Sequence, residues 1–265
     1  MKMSIQTGLA ALALTLVAAE AAAVQGVITM PNGSKREGEI KWVIRDKAYS
    51  IVEKGRPIEM QLKPDEIAGL QIPRPRELDA AIESIRQGNA AAAISVLEKL
   101  AADYLMLQWD KPATRYLAEA HVQAGNADKA IAVCEKVIAA DPEAAYLGEM
   151  APAYWQALIK RDRLSKVEDL LGKAIKTGDR LASANALIAR GDLIRASGDT
   201  AETAKKALRD SYLRVITLYK SERAAQPEAL YKAAQCFEKL GQTQLADQFR
   251  TTLKGEFGSS EWAKK

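Results

Sequence analysis

The stretch "AGNADKAIAVCEKVIAADP", residues 124–142, decides how the chain is read. Gly125 stands where a helix must end, because a residue without a Cβ takes the left-handed backbone that closes many helices. Ala130 falls five residues later, where a second helix crosses the first and only a small side chain lets the backbones approach. Pro142 follows Asp141. Proline in the first turn of a helix breaks no hydrogen bond, and an aspartate before it caps the turn. The spacing predicts one helix ending at Gly125, a second crossing it, and a third starting at Pro142.

The same punctuation recurs along the chain. Gly88-Asn89, Gly125-Asn126, Gly198-Asp199 and Gly241-Gln242 each interrupt Ala-rich helical periodicity, and Asp162 in "IKRDRLSK" holds the equivalent place without glycine. The intervals between these marks are 37, 37, 36 and 43 residues. A period in the thirties signals helical hairpins stacked side by side. Residues 78–265 are therefore expected to form a helical repeat domain of about five hairpins.

Residues 24–72 follow different rules. Five short runs rich in Val, Ile and aromatics ("VQGVITM", "REGEIKWVI", "YSIVE", "IEMQL", "IAGLQI") are each cut by Gly, Pro, Asn or Asp. Such runs predict strands, and Asn32-Gly33 is a hairpin signal because both residues tolerate positive φ. Ile40, Trp42 and Ile44 alternate with Glu39, Lys41 and Val43, which places the first set inward. A small SH3-like or Sm-like β-barrel is expected, with Trp42 and Tyr49 filling its core in preference to forming an exposed groove for Pro-rich peptides. "PRPRE", residues 73–77, is the linker, because residues before proline avoid the helical region. The fold class is thus mainly α, a superhelix preceded by a five-stranded barrel-like domain.

Residues 1–23 carry a positive Lys2, an apolar run from Gly8 to Ala19, and Ala-x-Ala patterns at 19–21 and 21–23. This is the layout of a cleavable export signal, and the run is too short to span a bilayer comfortably. A periplasmic or otherwise exported protein is expected, with no lipid-attachment Cys near the cleavage region and no stable membrane insertion. The net charge of +4 is interspersed and not blocked, which argues against a nucleic-acid surface. Export permits a disulfide between Cys134 and Cys236, but both sit in apolar helical patterns and are expected as buried free thiols.

The helical positions resemble the tetratricopeptide repeat family. Ala118, Gly125, Ala130 and Pro142 meet its small, turn-Gly, small and Pro signature. Ala234, Phe237, Gly241 and Ala246 match in the last unit, and Ala81, Gly88 and Ala93 in the first. The third unit places Trp155 at the small position and Val167 at the crossing, and the fourth is shifted by extra residues. The last unit also resembles repeats of bacterial envelope proteins, such as the Tol-Pal accessory protein and the outer-membrane assembly lipoprotein. Those end a repeat in aromatic-Pro-x-Ser, whereas "EFGSSEWA" keeps Phe257 and Ser260 with Gly258 in the proline place.

The chemistry-bearing residues point away from catalysis. His121 is the single histidine and sits at an inward position of its repeat, which suits packing. Cys134 shares that hairpin, but an Ala-rich interior offers no oxyanion donor. Neither a phosphate-binding Gly loop nor G-x-S-x-G occurs. "RGD" at 190–192 lies inside a predicted helix. Aromatic clusters around Tyr104 and Trp109, Tyr154 and Trp155, and Tyr212 and Tyr219 fit packing between hairpins better than sugar stacking.

Binding is what remains. The resemblance implies that the first helix of each unit lines a concave face. The residues it nominates are Arg115, Glu119, Gln123, Gln156 and Lys160, then Asn185, Asp192 and Arg195, then Tyr231, Gln235 and Lys239. The expected function is an exported scaffold, not an enzyme and without a cofactor, that binds protein or peptide partners of the cell envelope. The alternative is an envelope glycan-binding accessory using exposed aromatics such as Trp42 or Trp109, or the β head.

Overall fold

The computed structural model of the chain describes residues 22–265. The export segment expected at 1–23 therefore lies outside the described residues except for Ala22 and Ala23. Five strands open the fold: β1 (Val24–Thr29), β2 (Lys35–Val43), β3 (Ala48–Glu53), β4 (Glu59–Leu62) and β5 (Gly69–Gln71). They form one antiparallel sheet in the order β4-β3-β2-β1-β5, so the last strand returns to pair with the first. A 3-10 turn at Pro64–Glu66 makes that return.

Ile28, Ile40 and Ile51 are completely buried beneath this sheet, and Trp42 meets Tyr49 edge-on with ring centroids 4.9 Å apart. These two rings fill the head's own core. The alternation read from the second run stops early. Ile44 lies beyond the end of β2 and is 67% exposed, because β2 ends at Val43, opposite Ala48, and the chain turns away.

The helices follow in pairs. The first hairpin is α1 (Arg76–Arg86) with α2 (Ala90–Asp103), and the second is α3 (Asp110–Gln123) with α4 (Ala127–Ala140). The third is α5 (Ala151–Lys160) with α6 (Leu164–Lys176). In the fourth, α7 (Arg180–Ala196) pairs with a rod that starts as α8 (Ala201–Ala207). That rod passes through a π-helical stretch (Leu208–Tyr212) and ends as α9 (Leu213–Leu218). The fifth is α10 (Gln226–Lys239) with α11 (Thr243–Phe257), after which a 3-10 turn (Glu261–Lys264) closes the described chain.

The turn marks behave as their chemistry predicts. Gly88, Gly125 and Gly241 take φ values of 81°, 77° and 71°, and Asp162 adopts the same left-handed backbone at 55°. Aspartate enters this region more readily than most side chains do, since it can bond locally. At the predicted crossings, Ala130, Val167 and Ala246 are fully buried.

One expectation fails. Pro142 does not begin the third hairpin's first helix, which starts at Ala151; it opens a 3-10 turn, Pro142–Ala145, with the Asp141 carboxylate accepting from Glu143 N–H at 3.2 Å. The cause is Trp155. It fills the position where the other units carry a small residue, is buried, and donates its indole N–H to Ala145 O at 2.9 Å. The connection lengthens around that ring.

Head and helices share packing. The segment between α2 and α3 inserts Leu107 into the head's core, where it is fully buried. Both backbone groups of Ile72 are satisfied by that segment: Gln108 Oε1 accepts from Ile72 N–H at 2.8 Å, and Trp109 Nε1 donates to Ile72 O at 2.9 Å. Met106 and Gln108 hold positive φ values of 60° and 73° to make this reach.

Candidate partner-binding groove

The first helices of the five hairpins contribute to one cavity of about 710 Å³. Arg115, Glu119, Gln123, Gln156 and Asn185 line it, so five of the nominated residues are brought together from α3, α5 and α7. Arg115 and Glu119 stand one helical turn apart and pair at 2.9 Å. Burial pushes the Glu119 carboxyl upward while Arg115 pulls it down; the net direction is up. A fixed, half-buried ion pair on a helix presents one donor fork and one acceptor without needing to reorganise.

The other nominated residues lie elsewhere. Asp192, Arg195, Gln235 and Lys239 form a polar seam between α7 and α10. Arg195 donates to Gln235 Oε1 at 3.3 Å and to Asp199 Oδ1 at 3.1 Å, and Lys239 reaches Asp199 Oδ2 at 3.0 Å. Asp192 accepts from the Tyr212 hydroxyl at 2.8 Å and from Lys232 Nζ at 2.6 Å. Tyr231 packs against Trp262 with centroids 5.4 Å apart. Lys160 is exposed at the end of α5, outside both the groove and the seam.

Lys232 escaped the sequence reading because a lysine at helical spacing looks solvated. Its ammonium is mostly buried between Asp192 and Glu228, 2.6 Å and 2.5 Å away. Burial lowers its pKa, but the two carboxylates outweigh burial and the net direction is up, so it stays charged. The "RGD" tripeptide has a packing explanation as well. A Cβ on Gly191 would stand 2.5 Å from Cε1 and Cζ of Tyr212, so the glycine is what lets that fully buried ring lie against α7.

Trp262, Lys265, Glu261, Arg86 and Glu149 also border the cavity and were not nominated. Trp262 and Lys265 could be found only from the chain's return, since nothing local in "SSEWAKK" indicates that the segment folds back beside α10.

The thiols are poor nucleophiles here. Burial pushes Cys134 up to about 12 and Cys236 up to about 11, and both are free and buried as expected. His121 is 2% exposed with Glu98 Oε1 at 3.9 Å, beyond hydrogen-bond reach. No group of three or more His, Cys, Asp or Glu that could hold a metal ion occurs among the described residues. Of the aromatics set aside for sugars, Trp42 is buried and Trp109 is held under Arg74, whose guanidinium lies 5.0 Å from the ring centre.

Stacked helical hairpins with a grooved inner face define an α-helical repeat protein, an architecture built to present an extended binding surface. Residues 84–151 and, separately, 228–253 match tetratricopeptide repeat family models. Tetratricopeptide repeats are protein-interaction scaffolds. Two solved structures are similar to the chain, both of the nearly identical TPR-like repeats of a kinesin light chain candidate from Podosopora anserina. One, a single-substitution form, is 17% identical, with 69% of this chain and 95% of that chain covered at a TM-score of 0.35. The other is 18% identical, with 68% and 92% covered at a TM-score of 0.34. No curated protein matches the chain.

Proposed function

We propose that this protein is an exported, non-enzymatic scaffold of the cell envelope that holds a protein or peptide partner in the groove of its helical stack. One observation carries the reading: side chains from successive first helices, Arg115 and Glu119 on α3, Gln156 on α5 and Asn185 on α7, border a single cavity. Polar groups on rigid rods offer an extended peptide backbone a fixed set of donors and acceptors. Export rests on the Lys2, apolar-run and Ala-x-Ala layout of residues 1–23. No helix among the described residues is long and apolar enough to cross a membrane. The four-strand meander, with a 3-10 turn that leads the fifth strand back to pair with the first, supports an SH3-like identity for the head.

The test is positional. A photo-crosslinking amino acid at position 185 in the groove should capture a discrete envelope protein in intact cells. The same group at position 136, on the exposed face of α4, should not. Equal capture at both positions, or none at 185, sinks the groove as the partner site.

A further inference from the structure

We propose that the partner segment is cationic: an extended stretch bearing Lys or Arg side chains, one of which sits on the Trp262 ring. The inference rests on the groove reading above and names the chemistry that the groove selects.

Two observations carry it. The first is charge. The chain is net +4, yet its groove is bordered by five carboxylates, Glu119, Glu149, Asp179, Glu228 and Glu261. Only Arg86, Arg115 and Lys265 oppose them there. Glu119 is already paired with Arg115 and Glu228 with Lys232, and Asp179 accepts from Ala182 N–H at 2.6 Å. Glu149 and Glu261 are exposed and make no ion pair among the described residues. A lined concavity focuses its field, so the sign of the groove and not of the whole chain governs what enters.

The second is an aromatic platform already holding a cation. Trp262 packs on Tyr231 at 5.4 Å, and Lys265 Nζ lies 3.6 Å from the Trp262 ring centre and 5.9 Å from that of Tyr231. Lys232 Nζ approaches the same indole from within the protein, 5.5 Å from its centre. An indole face attracts ammonium and guanidinium groups most strongly where water is partly excluded. Lys265 thus stands in for the side chain a partner would bring, and a bound partner displaces it.

The test uses the full chain and labelled peptides that alternate Lys, Gln or Glu with Gly, followed by fluorescence anisotropy. The Lys peptide should bind tightest and the Glu peptide weakest, with affinity falling as salt rises. Trp262→Ala should weaken the Lys peptide roughly tenfold, about what one partly desolvated cation–π contact is worth, and Trp262→Phe should restore part of that loss. Glu149→Gln with Glu261→Gln, both at exposed positions, should narrow the gap between the Lys and Gln peptides while helical circular dichroism stays unchanged. Equal binding of all three peptides, preference for the Glu peptide, or indifference to Trp262→Ala overturns the inference. If position 185 captures a partner in cells while the peptides show no cationic preference, only the partner chemistry falls. If position 185 captures nothing, the groove itself falls.

Discussion

The second and fourth hairpins solve the same problem by different means. In the second, α3 and α4 come together through small residues: Ala118 and Ala130 are both completely buried and share one core. In the fourth, the close approach is made by Gly191 on α7, which receives the ring of Tyr212 from the π-helical stretch between α8 and α9. A π turn advances the hydrogen bond by one residue and so accommodates extra chain inside a helix. It takes up one of the extra residues in the long interval of 43 from Gly198 to Gly241. Gly198 also departs from the other turn glycines, with a φ of 154°. In both hairpins the small residue of the first helix, Ala118 or Gly191, stands seven residues before the turn glycine; what differs is the partner from the second helix, an alanine in one and a tyrosine ring in the other.

The sharpest way to break the comparison is at the regular crossing. Ala130→Leu should cost about 3 kcal/mol, the upper end for overpacking a site with no free volume, read as a lowered denaturant midpoint. Gly191→Ala should cost less, about 2 kcal/mol, since a clash with a buried ring is partly offset by alanine's better helix propensity. If Gly191→Ala instead stabilises the protein, the Tyr212 ring is free to move and the fourth hairpin is not held as described.

The smallest effect separates unpaired from paired ionisable groups. In the fourth and fifth hairpins Lys232 is buried with two carboxylates, whereas His121 in the second is buried without a hydrogen-bond partner. Burial lowers the His121 pKa, with Glu98 opposing and Lys129 adding to the shift. A folded pKa below the unfolded one gives stability that is full above the ordinary histidine value and is lost as pH falls toward the folded value. Lowering the pH from about 7 to about 5 should therefore destabilise the protein, and His121→Gln should flatten that slope. An unchanged slope in the variant would assign the acid sensitivity to other groups.

Much of this architecture was readable because its determinants are local. Left-handed turns at Gly88, Gly125, Asp162 and Gly241 need only one residue each, and strand alternation needs only neighbours. What stayed hidden depends on distant partners. Trp155 delays the start of α5 by bonding Ala145, Asp192 buries Lys232 from forty residues away, and Trp262 reaches Tyr231 across the last hairpin. The groove was half legible for the same reason. Position within a repeat marks the inward helices, and Arg115, Glu119 and Asn185 followed from that rule, whereas Asp192 and Arg195 turned into the seam with α10.

The insertion of Leu107 beneath the β-sheet bears on any attempt to dissect the molecule. Excising residues 24–72 would strip the cover from Leu107 and leave the Trp109 indole N–H without its carbonyl. The excised head, for its part, would carry a hole where that leucine sat. The two pieces are halves of a joint, and truncations meant to isolate the helices are better cut so that the strands stay attached.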